Sequence, residues 1–263
     1  MVSHRTRSVG KGGSAQWETW NRTFAGPGHN ECQDASLALT GPGWALLAVA
    51  DGAGSSKYSA RGSQLAIDQV ERYALAFKPA KLQDGPHPLR SWLKDLMRVV
   101  GTNWIRETEQ HAGPTPDFDT TLAVVLLTPG SAEVASVGDS FVVGIGSTGK
   151  AELLVAPDRP GSLTGAEAYM LPDWQDATQY YTILDSSLRT LLLSTDGLEA
   201  FLKKKVLDSG SGFSPAFVGV HQWMSDTLGK LGTECHIDEA VVFGRDDVMK
   251  RKGDDVGIAL AVR

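Results

Sequence analysis

Five apolar residues in a row, Leu46-Leu47-Ala48-Val49-Ala50, run straight into Asp51-Gly52-Ala53-Gly54. A run this short, with no polar alternation, reads as a strand buried on both faces. The full strand spans 44–50, and residues 36–39 form a partner strand just ahead of it. Thr40-Gly41-Pro42-Gly43 lies between the two as a turn-forming centre, which makes them a hairpin. A sheet buried on both faces needs a layer on each side, so the rest of the chain must supply them.

Two amphipathic helices follow. Over 59–77 the set Ala60, Ser63, Ile67, Val70, Ala74 and Phe77 recurs at helical spacing. Over 88–110 the set Leu89, Trp92, Leu93, Leu96, Val100 and Trp104 does the same, and Pro88 suits the first helical turn. The tryptophans of this stripe read as packing residues rather than a ligand platform. Strands resume at 120–127, 133–137, 141–146 and 152–155, spaced as consecutive antiparallel strands. Residues 156–187 lose periodicity and carry Pro157, Pro160, Gly161, Gly165 and Pro172, the composition of a lid or binding loop. A buried strand at 191–193 leads to helices at 197–205, 215–231 and 233–243, and the chain closes with a strand at 256–262. This order lacks the βαβ alternation of a parallel doubly wound sheet. It predicts an α+β fold of antiparallel sheets covered by helices.

With 263 residues the chain suits one large domain, expected over 16–263 behind a flexible basic, Gly/Ser-rich tail at 1–15. That tail lacks the apolar run of a signal peptide or anchor, and no stretch is long enough to span a bilayer as a helix. A net charge of -6 argues against nucleic acid as the main partner. Two distant cysteines, Cys32 and Cys235, fit a reducing, cytoplasmic setting better than a disulfide scaffold.

The aspartates fall in a pattern. Asp51 ends the strand 44–50, Asp196 follows Leu191–Thr195, Asp139 follows 134–138, and Asp254-Asp255 precedes the last strand; Asp34 precedes the strand at 36–39. A carboxylate at the end of an apolar strand is costly unless neutralised, and no basic residue adjoins Asp51, Asp139 or Asp196. Hard divalent cations such as magnesium or manganese, which take oxygen ligands, would neutralise them. Each Asp-Gly pair taken singly also reads as an ordinary turn.

Six blocks in order carry a resemblance to a known family. They are Gly28-His29-Asn30-Glu31-Cys32-Gln33-Asp34-Ala35, Val49-Ala50-Asp51-Gly52-Ala53-Gly54, Asp119-Thr120-Thr121-Leu122-Ala123, Ser136-Val137-Gly138-Asp139-Ser140, Leu193-Ser194-Thr195-Asp196-Gly197-Leu198 and Gly253-Asp254-Asp255-Val256. Together they resemble the metal-dependent, type 2C Ser/Thr protein phosphatases over nearly the whole chain, in a divergent, mainly bacterial subgroup. The resemblance implies a four-layer α-β-β-α sandwich. It implies two Mn2+ or Mg2+ ions, with Asp51 bridging them, the Gly52 carbonyl on one, and Asp196 and Asp254 on the other. Asp34 would act through a metal-bound water, and Asp139 would sit near a weak third ion. The segment 156–187 falls where the family carries its variable flap.

The chain also differs from the better-known branch. His29 stands where that branch has a phosphate-gripping arginine, Gln33 where it has glutamate, Ala53 where it has histidine, and Ala200 where a third-metal aspartate is common. His29 is accordingly the candidate for contacting the substrate phosphate or protonating the leaving oxygen. Lys57 and Arg61, just after the second block, are alternative sources of positive charge. The function expected is hydrolysis of phosphoserine or phosphothreonine in proteins by a metal-bridging water, opposite a partner Ser/Thr kinase. The departures keep two other readings open: a catalytically weak module that binds phosphoproteins or a kinase, and a hydrolase of small phosphoesters.

Overall fold

The structure is a computed structural model that describes residues 4–6, 17–26, 29–79, 86–111, 114–147, 151–157, 168–199 and 255–263. Its described strands form two antiparallel sheets. One runs in the order β3 (Ala35–Gly41), β4 (Trp44–Ala50), β5 (Leu122–Leu127), β6 (Ala132–Val137), β9 (Gln179–Ile183). The other runs β1 (His4–Thr6), β2 (Glu18–Phe24), β11 (Val256–Val262), β10 (Thr190–Ser194), β7 (Phe141–Ile145), β8 (Ala151–Val155).

The unbroken apolar runs divide their residues between two cores. Along β4, Leu46, Ala48 and Ala50 pack beneath the helices α1 (Ser59–Ala76) and α2 (Pro86–Glu109), whereas Ala45, Leu47 and Val49 enter the core between the sheets. In β5, Leu122, Val124 and Leu126 take the helix side, and Ala123, Val125 and Leu127 the inter-sheet side. Such strands need no polar positions because neither face meets water. The expected α+β class holds, with a layer of two helices on one sheet. The helices expected at 215–231 and 233–243 lie outside the described residues, as does most of that at 197–205. Within the last, Asp196–Glu199 form a single 3-10 turn.

All six stripe residues read from α2 are buried. On α1 Ser63, Ile67, Val70 and Ala74 are buried and Ala60 is half-buried, but Phe77 is exposed; it stacks on Tyr73 at 4.8 Å, and its N–H donates to the Tyr73 carbonyl at 2.8 Å to close the helix. The buried face of α1 also carries Gln69, whose Nε2 donates to Glu107 Oε1 at 2.6 Å. Glu133, fully buried within β6, is neutralised from α2. Arg90 Nε donates to its Oε2 at 3.0 Å, while Arg90 donates to Thr182 of β9 at 2.7 Å. That network ties a helix to two strands.

Three features depart from the sequence reading. Residues 4–6 of the expected tail pair with β2. The segment 156–187 contains the edge strand β9, which pairs with β6. Finally, the succession of strands is not one meander, because the chain crosses from one sheet to the other between β6 and β7.

Candidate active site

The four sequence-predicted aspartates that fall on described residues converge. Asp34 precedes β3, Asp51 follows β4, Asp139 lies between β6 and β7, and Asp196 follows β10. Asp255, which precedes β11, joins the first four around one cavity of about 330 Å³ at the end of the sandwich where both sheets terminate. His29, Gln33, Gly52, Ala53, Gly54 and Thr121 also line it, with Ala168 and Met170 from the expected flap segment. Asp254, expected as a ligand, lies outside the described residues. Lys57 and Arg61 do not line the cavity: the Lys57 ammonium sits over the Tyr58 ring at 4.7 Å, and Arg61 donates to His111 Nε2 at 3.0 Å.

The sequence around Asp51 explains its placement. Asp51 N donates to Thr121 Oγ1 at 3.0 Å, and the Asp51 carbonyl accepts from Thr121 N at 2.8 Å and Thr120 Oγ1 at 2.9 Å. The paired threonines at the start of β5 thus clamp the main chain that carries the carboxylate. Gly52 is required by close approach. A Cβ there would stand 2.6 Å from the Gln33 carbonyl oxygen and 2.8 Å from the Ser59 main chain at the start of α1. Gly197 is tighter still, since a Cβ would meet the Asp255 carbonyl oxygen at 1.8 Å. Glycine after each aspartate therefore lets the neighbouring main chain pack against the acidic turn.

Electrostatics are unfavourable without counter-charge. Burial is the main cause that pushes the Asp34 carboxyl up to about 8. The Thr195 hydroxyl, donating to Asp34 Oδ2 at 2.7 Å, offsets part of this; the charge of Asp255 adds to the rise, a hydrogen bond with Asp51 opposes it, and Asp196 raises it further. Burial, followed by the Asp34 charge, pushes the Cys32 thiol up to about 12, so this cysteine is no thiolate nucleophile at neutral pH.

A testable consequence concerns the chain stripped of metal by chelator. A carboxyl whose folded pKa is raised is stabilising when protonated. Its contribution is full below the unfolded value, about 4, and is lost as pH rises through about 8. The melting temperature of the stripped protein is expected to fall across that window, and Asp34→Asn is expected to flatten the fall. Thermal melts at several pH values read this directly. A profile equally steep in the variant would contradict the assignment.

The donor set fits divalent cations. It consists of carboxylates and main-chain oxygens, and no lysine or arginine is among the described lining residues. No three Asp, Glu, His or Cys side chains are already gathered tightly enough to hold one ion among the described residues. The sequence-predicted set includes Asp254, next to Asp255.

The family model of protein phosphatase 2C matches residues 28–235. The chain belongs to the protein phosphatase 2C family. It is therefore a hydrolase of the Ser/Thr phosphatase class acting on phosphoproteins. Solved structures share the fold. The serine/threonine phosphatase Stp1 from Staphylococcus aureus is 18% identical, with 98% of each chain covered and a TM-score of 0.69. The Mycobacterium tuberculosis serine/threonine phosphatase PstP/Ppp is 17% identical, with 94% of this chain and 99% of that one covered and a TM-score of 0.68. PppA, a regulatory component of T6SS in Pseudomonas aeruginosa, is 17% identical, with 95% and 98% covered and a TM-score of 0.63. No protein of curated function matches by sequence.

Against this family, the sequence reading missed Asp255 and Thr195 as residues of the site. Asp255 was visible only as half of an Asp-Asp pair. Thr195 was visible only as the residue before Asp196.

Proposed function

We propose that this chain removes phosphate from phosphoserine and phosphothreonine in proteins with two divalent cations, manganese or magnesium. The observation that carries the reading is a cavity with five carboxylates and no lysine or arginine among its described lining residues. A phosphate dianion would be repelled from such a cavity, so a phosphatase built this way needs cations as the electrostatic bridge. Asp51, the Gly52 carbonyl, Asp196 and Asp254 are the residues to hold them, with Asp34 acting through a water and Asp139 serving a weaker third ion. When bound, the ions supply an acidified water at neutral pH and stabilise charge on the phosphoryl oxygens.

The chain's own residues do the rest. Thr120 and Thr121 fix the Asp51 main chain. Asp34, held by Thr195, stands buried beside the cavity and orients a water there. His29 lines the cavity and donates to the substrate phosphate or returns a proton to the leaving serine or threonine oxygen. Water adds one oxygen to phosphorus, the ester oxygen leaves with one proton, and inorganic phosphate is released. The same reading places the protein in the cytoplasm opposite a Ser/Thr kinase. The sparse cysteine count, two in the whole sequence, supports a reducing setting.

The test is release of phosphate from a phosphoserine peptide with Mn2+, with and without chelator, and with a nucleotide as competitor. Turnover that needs Mn2+ and favours the peptide is expected. No turnover under any metal would leave the binding-module reading, and preference for the nucleotide would replace protein by small phosphoesters as substrate.

A further inference from the structure

Asp255 is 4% exposed, yet its carboxylate is crowded with donors. Oδ1 accepts from Gly26 N at 2.6 Å and meets His29 Nδ1 at 2.9 Å, while Oδ2 accepts from Gln33 N at 2.6 Å. Main-chain N–H groups can only donate, so both oxygens already act as acceptors. This arrangement suits a proton on His29 Nδ1 directed at Asp255.

This bond does two things at once. It ties the start of the last strand to the β2–β3 connection, 222 to 229 residues away in the chain. It also fixes the ring at the wall of the acidic cavity, where His29 is the only described lining residue able to carry positive charge. Nε2 has no hydrogen-bond partner among the described residues and is the polar atom the ring has left to offer. A carboxylate behind a histidine sets the ring's tautomer and orientation in the way that second partners of catalytic and metal-bound histidines do.

We infer that Asp255 is a positioning residue that locks the His29 ring and turns its Nε2 into the cavity, where, once protonated, Nε2–H donates to the phosphate of the substrate. The inference rests on the phosphatase reading above for what Nε2 meets, but not for the lock itself. The chain thus builds its phosphate contact from a carboxylate-anchored imidazole instead of a guanidinium, with the anchor supplied by the second residue of the closing Asp254-Asp255 pair.

The experiment has two arms on the full chain. In the first, long-range proton–nitrogen NMR of the 15N-labelled, metal-stripped protein reads the His29 tautomer, with His29→Gln identifying the signal. With the ring neutral, in alkaline buffer, the Nδ1–H form is expected in the wild type, and loss of that single form in Asp255→Asn. An Nε2–H form in the wild type, or an unchanged signal in Asp255→Asn, overturns the lock. In the second, kcat/KM for a phosphoserine peptide is measured with saturating Mn2+. His29→Ala and Asp255→Asn are each expected to lose about tenfold or more, and the double variant little beyond the worse single, since the two act as a unit. Wild-type kinetics in Asp255→Asn, or losses that multiply, overturn the role. Because the first arm needs no turnover, failure of the lock is distinguishable from failure of the phosphatase reading.

Discussion

Asp51→Asn and Asp196→Asn are each expected to lower phosphopeptide turnover by at least about a thousandfold while the fold survives. The substitution keeps shape and removes one negative charge from a cavity whose purpose is to hold positive ions. The bonds that place Asp51 come from its main chain and from Thr120 and Thr121, so the amide leaves them in place. Five carboxylates line the cavity, so removing one charge relieves repulsion. In chelator, both variants should melt at or above the wild-type temperature. Initial rates with Mn2+, set beside circular-dichroism melts, separate lost chemistry from lost structure. Turnover like the wild type's in both variants would refute the assignment of the site.

Trp104→Ala should produce the largest loss of stability. Trp104 is fully buried in the core beneath the helices, and its Nε1 donates to the Gly62 carbonyl of α1 at 2.9 Å. Gly62 in turn packs so closely on the 115–118 turn that a Cβ would stand 1.9 Å from the Phe118 carbonyl oxygen. One indole thus joins α2, α1 and the turn leading to Asp119, whose carbonyl accepts from Ala53 N at 2.9 Å beside the site. Truncation opens a cavity and removes a buried hydrogen bond, at a cost of about 3–5 kcal/mol. For a domain of this size that is a fall in Tm of roughly 10 °C or more. Thermal melts in the presence of Mn2+ check it; a change under about 2 °C would show that the indole carries little of the packing.

The sequence made the acidic site legible because the apolar runs and the aspartates that stop them are local patterns. A strand such as 46–50 announces both its burial and its end, and glycine after Asp51 and Asp196 marks where main chains pack against the turn. Strand β2 was not legible in the same way. Its sequence, Glu18–Phe24, has polar Thr19 and Asn21 among its buried residues, and its place in the sheet comes from pairing with β11 at the far end of the chain. Strand β9 is an edge strand with only half-buried and exposed residues, so no apolar pattern marks it within the 156–187 segment.

The Asp254-Asp255 pair shows a different limit. Where Asp255 comes to lie depends on the register of β11 against β10 and β2, which is set by strands far away in the chain. The structure puts Asp255 against His29 and the cavity, a role that composition and spacing do not reveal. In the same way His29 was readable as a substitute for an expected arginine, but its anchor was not, because Asp255 lies 226 residues further along the chain.

The account turns on cations gathered by aspartates that are distant in sequence. Calorimetric titration of Mn2+ into the metal-free chain tests this most directly. It should show about two ions bound per chain, with binding lost or weakened at least tenfold in Asp51→Asn, Asp196→Asn and Asp254→Asn. A wild-type chain that takes up no Mn2+, or three variants that titrate as it does, would contradict it.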